Sequence, residues 1–187
     1  KMSIAQATIV DRFVPRTVVS NISLVFGGAL ITALAAQVQI PMWPVPLTLQ
    51  TFAVLLVGAT LGAGRGAASL SVYLAMGAAG LPVFASAKTL TGALPTVGYI
   101  VGFVAAAALV GFLASKGFSK TPLKVAFSFA AGSVIIYGFG VAGLMITLGL
   151  SISQAIAAGV IPFLVGDVAK AIAAAAMLPL AWKIVNK

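Results

Sequence analysis

The chain has no cysteine and no histidine, and its only acids are Asp11 and Asp167. Without cysteine there is no disulfide and no thiolate nucleophile. Without histidine there is no imidazole acid or base, and with neither residue no zinc cluster of the usual kind. Two acids so far apart in sequence argue against a paired-carboxylate hydrolase. The expectation is a protein that is not an enzyme and holds no metal. Charge is scarce altogether, at 7% of residues.

What fills the chain instead is apolar. Of its 187 residues 61% are hydrophobic, and the mean hydropathy is +1.19. A soluble domain of this size cannot hide that much apolar surface, so the chain reads as an all-α integral membrane protein, a single membrane domain over 1–187. A span needs about 20 mostly apolar residues, which leaves room for roughly six. The net charge is +9. The bases sit singly or in small groups beside apolar runs, which points to membrane-flanking loops rather than to nucleic acid.

Residues 1–17 read as a cytoplasmic, interfacial N-terminal segment containing Asp11, Arg12 and Arg16. Lys1 precedes Met2, an order that suggests Met2 as the natural start. The first apolar run ends in a small-x-small pattern, Ala33-Leu34-Ala35, but it is long enough to span and is expected to be retained. Six transmembrane helices are expected over about 18–38, 47–61, 67–79, 96–115, 125–149 and 161–184. Pro41, Pro44 and Pro46 force a loop between the first two. Gly62 to Gly66 reads as a tight connection, 80–95 as a longer loop, and 150–160 as a short surface helix capped by Ser151 or Ser153. With both termini cytoplasmic, the inner side holds Lys1, Arg12, Arg16, Arg65, Lys116, Lys120, Lys124, Lys183 and Lys187, nine of the 11 bases. Lys88 alone lies outside, and Lys170 falls within the last span. That asymmetry favours this orientation and gathers the Pro/Trp loop, the 80–95 loop and the 150–160 segment on the outer face.

Small residues recur four apart at Gly58/Gly62/Gly66, Gly98/Gly102, Ala29/Ala33 and Ala171/Ala175. Close helix packing explains such pairs, and a docking face for a partner helix is the alternative. Gly138-Phe139-Gly140-Val141-Ala142-Gly143 has the spacing of a dinucleotide fingerprint. It lies in an apolar run with no preceding strand, so it reads as packing or a kink. Ala87-Lys88-Thr89 resembles the end of a phosphate loop, but Pro82 and Ala87 replace the two glycines. The chain is expected to hold no ATP.

Asp167 stands in the apolar run Ile161 to Ala174. A carboxylate at membrane depth costs about 2.5–3.5 kcal/mol on insertion scales. Lys170, three residues on, shares its helical face. Two readings stand: an ion pair tying the last span to its neighbours, or a site for a polar ligand. Trp43 and Tyr99 suit either an interface or a ligand wall. Gln50, flanked by Thr48 and Thr51, needs a polar partner at membrane depth.

Four segments carry a resemblance. They are Ala36 to Pro41 with Pro44 to Thr51, Gly80-Leu81-Pro82-Val83-Phe84, Pro95 to Phe103, and Pro162 to Lys170. Together they resemble the BioY family, the biotin-binding S component of energy-coupling factor (ECF) transporters, over about residues 18–184. The resemblance implies the S-component fold, a six-helix bundle in a bacterial or archaeal cytoplasmic membrane with an outward-facing pocket. It implies a substrate site for biotin at Asp167, Lys170, Tyr99 and Gln50, with Phe84 and Trp43 as apolar walls. It also implies docking through Ala29 and Ala33 on an EcfT-type transmembrane coupling protein, which works with two ATP-binding cassette ATPases. No cofactor is implied for this chain, ATP being bound by the partner subunits. An S component for another vitamin, a membrane enzyme and a purely structural membrane subunit are the alternatives. For the ligand's carboxylate the chain offers Lys88, Ser86 and two threonines.

Overall fold

The computed structural model describes residues 8–90 and 94–186. Seven α-helices follow one another: α1 Val18–Gln37, α2 Gln50–Leu61, α3 Ala63–Ala78, α4 Val97–Leu113, α5 Pro122–Leu148, α6 Ile152–Gly159 and α7 Leu164–Val185. Two short strands, β1 Gln39–Ile40 and β2 Leu47–Thr48, form an antiparallel hairpin with Gln39 opposite Thr48 and Ile40 opposite Leu47. Four segments are long and apolar enough to cross a membrane: Val18–Gln37, Val97–Phe118, Pro122–Leu148 and Ile152–Val185.

Local chemistry explains most of the boundaries. Thr17 caps α1, its hydroxyl accepting from the Ser20 amide at 3.1 Å. Pro122 opens α5, where a missing N–H is no loss. The fifth span therefore starts before the expected residue 125. Gly62 alone makes the turn from α2 to α3, with φ at +89°. The third span thus begins at Ala63, not at 67. Leu47 and Thr48 pair with β1, so the second span starts at Gln50 rather than 47. Ile161–Phe163 is a 3-10 turn, and the last helix begins at Leu164. Ser151 caps α6 in a full capping box with Gln154.

At 12 residues α2 rises only about 18 Å, well short of a bilayer core of about 30 Å. The β1–β2 hairpin precedes it directly.

Close approach holds the bundle together. A Cβ at Gly98 in α4 would stand 2.3 Å from the Phe139 carbonyl oxygen of α5, and one at Gly58 in α2 would stand 2.6 Å from the Ala107 oxygen of α4. The dinucleotide-like run is part of this packing. Gly140 faces the Tyr99 ring and Gly143 lies on Gly98. Tyr73, Phe103, Phe129, Ile100, Ile136 and Leu144 fill the centre. Large apolar side chains on α1, α5 and α7, such as Phe26, Leu34, Val134, Ile146 and Val165, point outward, as a lipid-facing surface requires.

The N-terminal segment is clasped to the end of α2–α3. Asp11 accepts from Arg16 at 2.7 and 2.8 Å, from Arg65 at 2.7 Å, and from the Thr8 amide and hydroxyl at 2.9 and 2.8 Å. Burial works against its ionisation, but the hydrogen bonds from Arg16, Thr8 and Arg65 prevail. They hold the carboxyl well below the usual carboxylate range. Asp11 in turn raises the Arg16 guanidinium.

Candidate functional site

A narrow cavity of about 40 Å³ lies between the hairpin and helices α2, α4, α5 and α7. Val45, Pro46, Leu47, Ile100, Phe103, Ile136 and Phe163 supply apolar wall. Thr48, Gln50, Thr51, Thr96, Tyr99, Tyr137, Asp167 and Lys170 supply polar groups. A mostly apolar concavity with a few convergent polar atoms is the usual form of a small-molecule site.

Asp167 and Lys170 reach it from the first two turns of α7. Lys170 Nζ donates to Asp167 Oδ1 at 3.1 Å, to the Thr48 carbonyl at 2.9 Å and to Thr51 Oγ1 at 2.7 Å. The Thr48 carbonyl belongs to β2 and Thr51 to the first turn of α2, so the ammonium joins α7 to the hairpin and α2. The Tyr137 hydroxyl, from the middle of α5, donates to Asp167 Oδ2. Each carboxylate oxygen therefore holds one protein donor. An ionised carboxylate offers about four acceptor positions, so about two remain for a ligand.

Gln50 and Tyr99 line the same cavity, each with its polar end tied back. Gln50 Nε2 donates to the Tyr73 hydroxyl at 2.6 Å, and that hydroxyl donates to the Val83 carbonyl at 2.9 Å. The Tyr99 hydroxyl donates to the Gly159 carbonyl at 2.6 Å. It thereby pins the α6–α7 joint that leads to Asp167. All three tyrosines of the chain thus belong to this site or to its support.

The other sequence-derived residues lie elsewhere. Phe84 is buried in the core, edge-on to the Tyr73 ring at 5.4 Å, in a slot that Gly77 leaves open. Its apolar ring anchors the loop after α3, and it lies outside the cavity wall. Trp43 is 80% exposed. It borders a second, outer cavity of about 240 Å³ together with Pro44, Ser86, Lys88 and Pro95. The two cavities share Pro46, Ala85 and Thr96, so the outer one is a vestibule to the inner. Ala29 is fully buried within the bundle and Ala33 half-buried. The outward small positions on α1 are Ser23 and Gly27, and a Cβ at Gly27 would meet nothing within 4 Å.

The vestibule's rim is tied down by amides. Gln37 donates to the Phe84 carbonyl at 2.9 Å and accepts from the Ala87 amide at 3.1 Å, while Gln39 donates to Ser86 Oγ at 2.7 Å. These bonds hold Ser86 and Ala87 at φ values of 60° and 54°. Non-glycine residues rarely adopt such values outside over-determined sites.

Sequence reasoning missed Tyr137 and Tyr73. The signal available was a tyrosine inside an apolar helix, since a buried phenol needs a polar partner. Among the described residues no three histidine, cysteine, aspartate or glutamate side chains gather as a metal site would require.

Comparison with known proteins agrees with this architecture. The chain is 34% identical to the probable biotin transporter BioY of Lysinibacillus sphaericus over 174 residues, 88% of this chain and 89% of that one. It is 40% identical to the biotin transporter BioY of Thermotoga maritima over 144 residues, 75% and 82% of the two chains. The crystal structure of an S-component for biotin from an ECF-type ABC transporter superposes with a TM-score of 0.77 at 19% identity, covering 91% of this chain and 95% of that one. The fold is therefore that of an S component, in a multi-pass membrane protein. The BioY family profile matches residues 6–187, and the chain belongs to that family.

Proposed function

We propose that this protein binds biotin in the inner cavity and carries it across the membrane as a transport subunit, with no catalysis of its own. The observation that carries this reading is Asp167. It is an ionisable side chain at membrane depth, oriented by Lys170 and Tyr137, with acceptor capacity left over, in a cavity that sets apolar walls beside a few polar groups. Biotin's ureido ring presents two N–H donors, which suit a carboxylate. Such charge-assisted bonds are roughly twice as strong as neutral ones. Thr51 accepts from Lys170, so its own O–H is the donor left to offer the ureido oxygen. The sulfur ring fits against Ile100, Phe103 and Phe163. The valeryl tail then runs past Pro46 and Thr96 into the vestibule, where Lys88 meets its carboxylate.

The relatives' names supply the ligand, and the charge distribution supplies the direction. Six crossings put both termini on one side, with Arg12, Arg16, Arg65, Lys116, Lys120, Lys124 and Lys183. That side is the cytoplasm by the positive-inside rule, and the cavity then opens outward. In this reading no ATP or other cofactor binds the chain. An EcfT-type coupling protein and two ATPases supply the energy. Because Ala29 is buried, the coupling protein docks instead on the outward face of α1 at Ser23 and Gly27. Gly27→Leu is expected to leave biotin affinity of the isolated chain unchanged and to abolish co-purification with the coupling protein.

Calorimetry of the purified chain tests the ligand. Biotin is expected to bind, and thiamine, riboflavin and lipoate are not. Asp167→Asn removes the charged acceptor, a loss of roughly 1.5–3 kcal/mol, or about tenfold and more in affinity. Lys88→Gln is expected to erase the preference for biotin over its carboxamide. Unchanged affinity in Asp167→Asn removes this pocket from consideration, and binding of another vitamin in biotin's place reassigns the substrate.

A further inference from the structure

A second constellation lies where the segment before α1 meets the end of α7. Trp182, near the end of α7, is almost fully buried, and its Nε1 donates to Ser119 Oγ at 2.9 Å. Two cations from other parts of the chain converge on this ring. Lys120 Nζ, from the α4–α5 connection, lies 4.9 Å from its centroid, and the Arg12 guanidinium, from the N-terminal segment, lies 5.9 Å away. Both side chains are exposed. Among the described residues neither makes a salt bridge. The nearest acid in sequence, Asp11, has both oxygens engaged by Arg16, Arg65 and Thr8. Two like charges held over one ring, with no counter-charge among the described residues, favour an anion from outside.

We propose that Arg12, Lys120 and Trp182 form a headgroup site for an anionic phospholipid. Basic pockets between helix ends on the cytoplasmic side suit such headgroups, and tryptophan favours the membrane interface. Phe13, Leu123 and Ile184, close in sequence to the three site residues, are 68%, 82% and 64% exposed. They offer apolar contact to acyl chains, which a lipid uses and a free phosphate ion does not. A zwitterionic headgroup brings its own cation, which Arg12 and Lys120 repel, so the site selects net negative charge. Lys116 and Lys124 stack on Phe112 and Phe118 at 5.5 and 5.6 Å. They belong to the general basic surface rather than to this site.

The test uses the delipidated full chain in detergent, titrated with dioleoyl phosphatidylglycerol, dioleoyl phosphatidylcholine or inorganic phosphate. Native mass spectrometry counts retained adducts, and thermal unfolding reports stabilisation. Phosphatidylglycerol is expected to be retained at least tenfold better than phosphatidylcholine and to raise the melting temperature, with both effects weakening as salt rises. Arg12→Gln/Lys120→Gln is expected to lose the preference, as is the milder Lys120→Gln alone in part. The charge-matched control Lys116→Gln keeps it. Equal retention of the two lipids overturns the proposal, as does an undiminished preference in a folded Lys120→Gln or double variant. Saturation by inorganic phosphate alone would reassign the site to a free anion.

Discussion

Lys170 directs its three donors to Thr48, Thr51 and Asp167. These bonds fix the Asp167 carboxylate in place and link α7 to the hairpin and α2. Tyr137 is the second support, and it carries no charge. Tyr137→Phe removes one of the two donors on Asp167 but leaves the carboxylate and its cation. The expected loss of biotin affinity is therefore smaller than for Asp167→Asn, roughly 0.5–1.5 kcal/mol or up to about tenfold, read by calorimetry. A greater loss for Tyr137→Phe than for Asp167→Asn would show instead that the hydroxyl touches the ligand. The Asp167–Lys170 pairing was legible from its spacing, since residues three apart share a helix face. Tyr137 lies 30 residues away on another helix, and no local pattern joins the two.

At the scale of elements, the contact between α4 and α5 is set by glycines whose missing side chains admit backbone. Gly98→Ala forces a Cβ against the Phe139 carbonyl, 2.3 Å away, and the helices must part. Overpacking of this kind costs about 1–3 kcal/mol, so the melting temperature in detergent is expected to fall by several degrees. Gly27→Ala meets open space in a helix, where alanine is the better helix former by about 1 kcal/mol. It is expected to leave the melting temperature unchanged or slightly raised. Equal losses for the two variants would mean that glycine matters here for backbone freedom and not for contact. The recurrent small residues were visible in sequence as packing. Which of them face inward was not, as the buried Ala29 and the open Gly27 illustrate.

For the whole molecule, the two acids divide the labour between opposite ends. Asp167 serves the cavity, and Asp11 fastens the N-terminal segment to the α2–α3 turn through Arg65. A carboxyl depressed in the folded state stabilises fully above its unfolded value of about 3.9 and loses that contribution as pH falls below it. Between pH 5 and 8 the clasp is therefore expected to be constant. Asp11→Asn is expected to lower the melting temperature at pH 7, and the gap to the unsubstituted chain should narrow as pH falls below 4. Thermal unfolding of both at pH 7, 5 and 3 checks this, and a gap that widens with acid contradicts it.

Composition and run length already determined a multi-pass helical membrane protein, and the spacing of Asp167 and Lys170 already put two charges on one face near the start of its last helix. Those properties are local: hydropathy sets insertion, and backbone geometry sets which residues share a face. Only the tertiary structure decided that Phe84 belongs to the core, that Trp43 borders the vestibule, that Ala29 is covered, and that Tyr137 completes the carboxylate's support. The reason is the solvent. Lipid is as apolar as the protein interior, so the hydrophobic pattern of a membrane helix does not say which face turns inward. That rotation is set by close contacts such as Gly98 on Gly143 and Gly58 on Ala107, which exist only once the helices meet.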